Sequence, residues 1–395
     1  MNYPLISEYI ESIKSAGDNF DELSYLRPVL DNMGQPVMSS GNFAVVFKMK
    51  DERDGKLYAV KCFTKEQEGR AESYKLIADE LEFVFSNYLT PIKYLEKELF
   101  VDTKSSDETE FPVLLMDWVD GITLDKYIRA NKNNMYALGM LAYRFSKIAS
   151  WLLSQPFAHG DLKPDNILVR EDGTLVLVDY DGMYVPAMKG QKAREIGSPD
   201  YRHPGRTEKD FDEHIDDFSI VSILLSLKTI SLNTQMLEGS DSTDCLFFTE
   251  KDYRTLCGCE KLRKLFLLND LDINRLLGIL LLAYTEGNLS NVSFKLLYVA
   301  KPHKDDSQNL KVEEKETSFV QSSEKSRFQR GAEIVHAELY YNLAVRYSQG
   351  LGVQQDFTKA LEYINKAEDK GDTKMKELCT RVRTYIQKRQ VEDRK

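Results

Sequence analysis

The sequence predicts an α+β chain: an antiparallel sheet in its first third, a helical body after it, and a helical hairpin at the C-terminal end. Three observations carry that expectation. Val37 to Lys61 reads as a strand, a turn and two more strands, with Val45-Val46-Phe47 and Leu57-Tyr58-Ala59-Val60 flanking the hairpin signal Asp54-Gly55. From Leu124 to Leu153, and again from Leu262 to Tyr284, apolar residues recur at helical intervals. From Ala337 onward, Leu343-Ala344, Tyr347, Gly350-x-Gly352-Val353, Asp356, Lys359-Ala360, Tyr363, Lys366-Ala367 and Gly371 repeat at the spacing of a helix-turn-helix unit.

A chain of 395 residues predicts two or three domains and ample core. A formal net charge of -10 argues against nucleic acid or an anionic membrane as partner. Five scattered cysteines give no disulfide framework, and Cys257-Gly258-Cys259 lacks a second ligand pair, so reduced thiols of a cytoplasmic protein are expected. No run approaches ~18 uninterrupted apolar residues. Met1 to Gly17 lacks the basic-then-apolar pattern of a secretory signal; Leu5, Ile6, Tyr9, Ile10 and Ile13 predict an amphipathic helix instead.

Chemistry concentrates in Ala158-His159-Gly160-Asp161-Leu162-Lys163-Pro164-Asp165-Asn166-Ile167-Leu168-Val169. A carboxylate at Asp161 can orient a hydroxyl and accept its proton, Lys163 can neutralise a moving phosphoryl group, and the amide oxygen of Asn166 can hold magnesium. The run resembles the catalytic loop of eukaryotic-like protein kinases, in the Asp-x-Lys-Pro-x-Asn form of the serine/threonine branch. The resemblance covers about Met38 to Ala300. It implies a bilobal protein-kinase-like fold with an antiparallel N-lobe sheet and a helical C-lobe, acting on ATP with Mg2+.

Further motifs extend the resemblance. Ser39-Ser40-Gly41-Asn42-Phe43-Ala44-Val45-Val46 stands where a glycine-rich loop is expected and keeps only the middle glycine, Gly41. It implies Phe43 over the phosphates and Val46 over the adenine. Tyr58-Ala59-Val60-Lys61 is similar to the V-A-I-K strand, which makes Lys61 the ammonium for the α and β phosphates. The following helix, about Glu66 to Phe85, is expected to offer Lys61 a glutamate, Glu72 first and Glu80 second. Ile92 to Val101 reads as a hairpin turning through Glu96-Lys97-Glu98. Val113 to Gly121 resembles the hinge, with Met116 at the back of the pocket and the Asp117 to Val119 backbone on the adenine edge.

His159 is expected to be a structural hub. Gly160 replaces the arginine of the usual His-Arg-Asp, a non-RD form, so control through activation-segment phosphate loses its usual partner. Leu175 to Gly182 resembles the strand that delivers the Asp-Phe-Gly motif. Asp179, eighteen residues after Asp161, is the expected metal ligand beside Asn166; Asp181, where glycine is usual, is the second possibility or else part of a polar turn. Gly197-Ser198-Pro199-Asp200-Tyr201-Arg202-His203-Pro204 resembles the end of the activation segment, where Ser198 fits hydroxyl substrates and Gly205 replaces the anchoring glutamate. Asp216 is expected to brace the catalytic loop, cap the next helix, or both.

The expected domains are an N-terminal helical extension (1–35), a protein-kinase-like domain (36–300), a flexible linker (301–331) and a helical unit (332–395) resembling a Sel-one-like repeat of the tetratricopeptide class. That single unit should dock on the kinase, use its last helix as a cap, dimerise or bind a protein partner. The resulting expectation is a serine/threonine protein kinase acting on protein hydroxyls. The alternatives are a small-molecule kinase, suggested by His-Gly-Asp, and a nucleotide-binding pseudokinase acting through the C-terminal unit.

Overall fold

Alternation with a period of two gives the N-terminal sheet two different faces. β1 (Leu26–Pro28), β2 (Met38–Ser40), β3 (Ala44–Asp51), β4 (Leu57–Phe63), β5 (Ile92–Phe100) and β6 (Glu110–Asp117) form one antiparallel sheet. Its order is β1-β3-β4-β6-β5, with β2 also on β3. Val45, Phe47, Met49, Val60, Cys62 and Val113 build a core on one face with Tyr9 and Ile13 of α1 (Ile6–Lys14). Ala44, Phe63 and Leu114 point the other way and join the core shared with α3 (Arg70–Glu82) and the helices that follow. The computed structural model describes residues 2–82, 84, 86–237, 246–303, 337, 340–349, 355–371 and 373–392.

The N-terminal extension is more than helical. After α1 and α2 (Ala16–Asn19) it supplies β1, which pairs with the far end of β3. The Tyr9 hydroxyl donates to the Phe63 carbonyl at 2.7 Å, and Ser12 Oγ donates to the Phe100 carbonyl, so α1 is tied to two strands.

The expected hairpin through Glu96-Lys97-Glu98 is not formed. These residues lie within β5, where the pairing with β6 shifts register between Leu95 and Leu99. The buried Glu98 carboxylate accepts from Leu23 N at 2.7 Å and Glu22 N at 3.2 Å. A bulge satisfied from outside the sheet absorbs the polar triplet, and the strand continues.

After β6, β7 (Ile122–Thr123), β8 (Ile167–Val169) and β9 (Leu175–Leu177) make a small antiparallel sheet. The helical body comprises α4 (Leu124–Ala130), α5 (Met135–Leu152), α6 (Asp217–Leu232), α7 (Glu250–Arg254), α8 (Glu260–Leu267) and α9 (Leu271–Glu286). The apolar stretch from Leu124 to Leu153 is two helices, because Asn134 caps α5 by accepting from Ala137 N at 3.0 Å. α6 is apolar on all sides and buried along nearly its whole length, which makes it the central helix of the body.

The last elements are α10 (340–349), α11 (Phe357–Lys370) and α12 (Thr373–Glu392). Asp356 caps α11 by accepting from Lys359 N at 3.0 Å. Ala344, Ala360, Ile364, Ala367, Leu378, Cys379 and Ile386 form a separate core, and small residues let these helices approach closely. Gly350, Gly352, Val353 and the expected linker from residue 304 onward lie outside the described residues.

His214 ties the start of α6 to the loop after α9. Its Nδ1 lies 3.1 Å from Asp217, whose carboxylate also accepts from Leu289 N at 2.7 Å. The hydrogen bond to Asp217 raises the imidazole pKa above its ordinary 6.5. The stabilisation is complete below 6.5 and is lost as pH rises through the higher folded value. The midpoint of thermal unfolding is expected to fall by about 1–2 °C from pH 6 to pH 8, and His214→Gln should remove that part of the dependence.

Candidate active site

The catalytic-loop residues are held by buried backbone bonds rather than by a regular element. Ala158 bridges Tyr184 in antiparallel fashion. The Asp216 carboxylate accepts from His159 N at 2.5 Å and Gly160 N at 2.9 Å. Burial pushes the Asp216 carboxyl above the usual carboxylate range, against the attraction of His159 and Arg206. Asp216 stands at the N-cap of α6 without making a side-chain cap bond, so it braces the loop instead. His159, 1% exposed, places Nε2 2.9 Å from the Val178 carbonyl and its ring edge-on to Tyr180. That is the arrangement of a structural hub.

Asp161 is the centre of the next layer. One carboxylate oxygen lies 2.8 Å from Lys163 Nζ; the other accepts from Ser198 N at 2.8 Å and Ser198 Oγ at 3.0 Å. Burial opposes the charge, but Lys163 and Ser198 outweigh it and hold the carboxyl below the usual range. Burial also works against charge on Lys163, and Asp161 holds its proton above the usual lysine range. Pro164 starts a single 3-10 turn, Pro164–Asn166, that brings Asn166 back onto Asp161. Asn166 Nδ2 donates to the Asp161 carbonyl at 2.9 Å and to its carboxylate at 3.2 Å. The amide oxygen is the remaining donor atom, a hard ligand suited to magnesium.

Lys61 lies on β4 opposite Val46 of β3 and Leu114 of β6, so all three share one sheet face. Met116 pairs with Ala59, two residues along the same face. Val119 is buried just past β6, where Trp118 N donates to the Leu57 carbonyl at 3.1 Å. Gly41 and Phe43 form the exposed tip between β2 and β3, closed by Gly41 N donating to the Ala44 carbonyl at 2.9 Å. Val46, Lys61, Leu114 and Met116 therefore share one face of the sheet, and the β2–β3 tip lies at the end of β3 next to Val46.

The expected glutamate partner of Lys61 requires correction. Glu72 is exposed on the first turn of α3. The buried stripe of this helix is Ser73, Tyr74, Ile77 and Leu81, and Glu72, two residues before Tyr74, points away from it. Glu80 does not meet Lys61 either; its charge attraction is to Arg346. Lys61 Nζ instead lies 2.7 Å from Asp179 and 2.8 Å from Asp181, with the Tyr74 hydroxyl at 3.5 Å. Burial disfavours the ammonium, yet the two carboxylates hold its proton above the usual lysine range. Asp179 has φ 69°, an uncommon conformation outside glycine, and its carboxyl is held low by Lys61 against the opposing effect of burial.

Tyr74 and Arg206 are partners that sequence reasoning left unassigned, and Asp181, offered there as a second candidate for the metal, is found on Lys61. Tyr74 could have been found from the apolar stripe of α3, which offers a phenol and no carboxylate. Arg206 Nη1 donates to the Gly160 carbonyl at 2.8 Å, from a position with no motif signal. Among the described residues no group of three or more His, Cys, Asp or Glu side chains could hold a metal, so a magnesium site would combine the Asn166 amide oxygen, the Asp179 carboxylate and phosphate oxygens. No described helix is long and apolar enough to cross a membrane.

Comparison with known proteins agrees with this geometry. The chain is similar to serine/threonine-protein kinase sgk-1 of Caenorhabditis elegans, 24% identical over 196 residues, which is 48% of this chain and 40% of that protein. It is also similar to an Aurora kinase of Yarrowia lipolytica, 26% identical over 187 residues, 46% of this chain and 48% of that protein. The chain thus spans less than half the length of these two relatives. The family model "Protein kinase domain" matches residues 35–250, more than half of the 395 residues. With an antiparallel N-terminal sheet, a helical body and an aspartate–lysine–asparagine loop between α5 and α6, the chain belongs to the protein kinase domain family.

Proposed function

We propose that this chain is an ATP-dependent serine/threonine protein kinase of the non-RD type. The observation that carries the reading is the Asp161–Lys163–Asn166 cluster, with Ser198 on the same carboxylate and Lys61 held beside Asp179. In this reading Asp161 orients the acceptor hydroxyl and takes its proton as the oxygen bonds to the γ-phosphorus and ADP leaves. Lys163 steadies the transferred group, and Lys61 binds the α and β phosphates. Val46, Met116 and the backbone to Val119 line the adenine site, with Gly41 and Phe43 above the phosphates. Asn166 and Asp179 hold magnesium, which supplies charge neutralisation on the phosphate oxygens.

Residues 1–35 serve as a sheet-completing extension, 36–300 as the kinase domain, 301–331 as a linker and 332–395 as the Sel-one-like unit. α12 caps that unit, since Leu378, Cys379, Val382 and Ile386 complete its core. The attraction between Arg346 of α10 and Glu80 of α3 supports docking of the unit on the kinase domain, with any protein partner taking its other side. The reduced, buried thiols of Cys62, Cys259 and Cys379 suit a cytoplasmic setting.

The test is mass-spectrometric phosphate incorporation after incubation with ATP and magnesium, using the chain itself and generic protein acceptors. Phosphate on serine or threonine is the expected result. Transfer only to a panel of small alcohols and amino sugars would replace the reading by a small-molecule kinase. Nucleotide binding with no transfer to either would replace it by a pseudokinase.

A further inference from the structure

The ammonium of Lys61 has two carboxylate partners, and both come from one short segment after β9. None comes from α3, the helix packed beside it. In protein kinases generally the strand lysine pairs with a glutamate of that helix, and control acts by moving the helix. We propose that Asp181 is the positioning residue for Lys61 and that Tyr74 links α3 to Lys61 through Asp181; this rests on Lys61 being the phosphate-binding lysine.

The geometry separates the roles of the two aspartates. Asp181 keeps its side chain 11% exposed and 2.8 Å from Lys61 Nζ, while its other oxygen accepts from the Tyr74 hydroxyl. Asp179 is 42% exposed, its charge is attracted to Lys163 as well as to Lys61, and it is the carboxylate more open to a metal. Once Asp179 is engaged by a metal, Asp181 remains as the lysine's fixed counter-charge. Its backbone is anchored as well, because Arg194 Nη2 donates to the Asp181 carbonyl at 3.1 Å.

The consequence concerns regulation. Displacing α3 would remove a phenol hydrogen bond but leave the ion pair, so the lysine site follows the 179–181 segment rather than the helix. The stretch 182–205 supports this. It contains no threonine and a single serine, Ser198, which is already bonded to Asp161. Gly160 removes the arginine that would receive a phosphate there. A segment whose single serine is engaged by Asp161 and a lysine without a helix carboxylate describe the same device: a lysine site assembled by the fold.

The experiment is a double-mutant cycle on the nucleotide-free chain, read by thermal unfolding. Lys61→Met and Asp181→Asn are each expected to lower the midpoint by about 5 °C, because each leaves a buried charge or polar group without its partner. The double variant should be no less stable than the worse single one. Tyr74→Phe should cost less, and its effect should vanish in the Asp181→Asn background. Additive shifts would overturn the proposal. A second measurement uses trinitrophenyl-ATP affinity in magnesium and in EDTA. Asp181→Asn should weaken binding about tenfold in both, and Tyr74→Phe, which removes one oxygen only, about threefold in both. A loss seen only with magnesium would overturn the proposal and make Asp181 a metal ligand. The unfolding cycle needs neither nucleotide nor transfer. Coupling without any phosphate transfer would therefore sink the kinase reading alone, and transfer without coupling would sink this proposal alone.

Discussion

Asp161→Asn is expected to lower the rate of phosphate transfer by about a thousandfold while leaving nucleotide affinity within about twofold of wild type. The amide cannot take the proton of the acceptor hydroxyl. It also surrenders the charge that sets Lys163 2.8 Å away and Asn166 within 3.2 Å. Lys61, the sheet face and the hairpin tip are separate from this residue, which is why binding should persist. A rate constant for single-turnover transfer, measured beside nucleotide affinity, checks both halves. Transfer that survives the substitution would remove Asp161 from the mechanism, since Asp161 is the carboxylate that both Lys163 and Ser198 contact.

Gly160→Ala is the second large effect expected, and it is structural before it is chemical. Gly160 has φ 83°, and a Cβ built there overlaps the carbonyl oxygen of Gly182. Left-handed geometry costs alanine about 1–2 kcal/mol, and backbone collision adds strain, for a total loss of about 3 kcal/mol. The collision would push apart two chain segments, the one carrying Asp161 and the one carrying Asp179 and Asp181. Thermal unfolding should show a fall of roughly 5–10 °C, and phosphate transfer should drop with it. Gly160→Arg should be worse still. An arginine at this position does not fit, so the departure from His-Arg-Asp is a steric requirement of this backbone. Arg206 occupies part of the vacated role by bonding the Gly160 carbonyl at 2.8 Å.

These two positions also show what kind of information a sequence carries. Asp161, Lys163 and Asn166 lie within six residues, so a local turn suffices to bring them together and spacing alone reveals them. Val46, Lys61 and Met116 are named by the resemblance to kinase motifs, and only the pairing of β3, β4 and β6 shows that they lie on one sheet face. The β5 bulge was not readable, because Glu98 is satisfied by the backbone of Glu22 and Leu23, more than seventy residues earlier. Glu72 failed as a partner for Lys61 because motif order cannot say which face of α3 turns inward, whereas the stripe Tyr74, Ile77 and Leu81 does.

The sequence by itself determined the α+β class, the positions of the sheet and helical body, and the closeness of Asp161, Lys163 and Asn166. All of these rest on short-range periodicity and on residues close together in the chain. Tertiary structure decided the partners of Lys61, the brace from Asp216 to His159 and Gly160, and the bond from Arg206. Each of those contacts joins residues about fifty or more positions apart, where packing sets which side chain reaches which. Charge complementarity alone would have allowed Glu72 or Glu80 to pair with Lys61. With Tyr74, Ile77 and Leu81 buried on α3 and Glu72 turned outward, the lysine pairs with Asp179 and Asp181 instead.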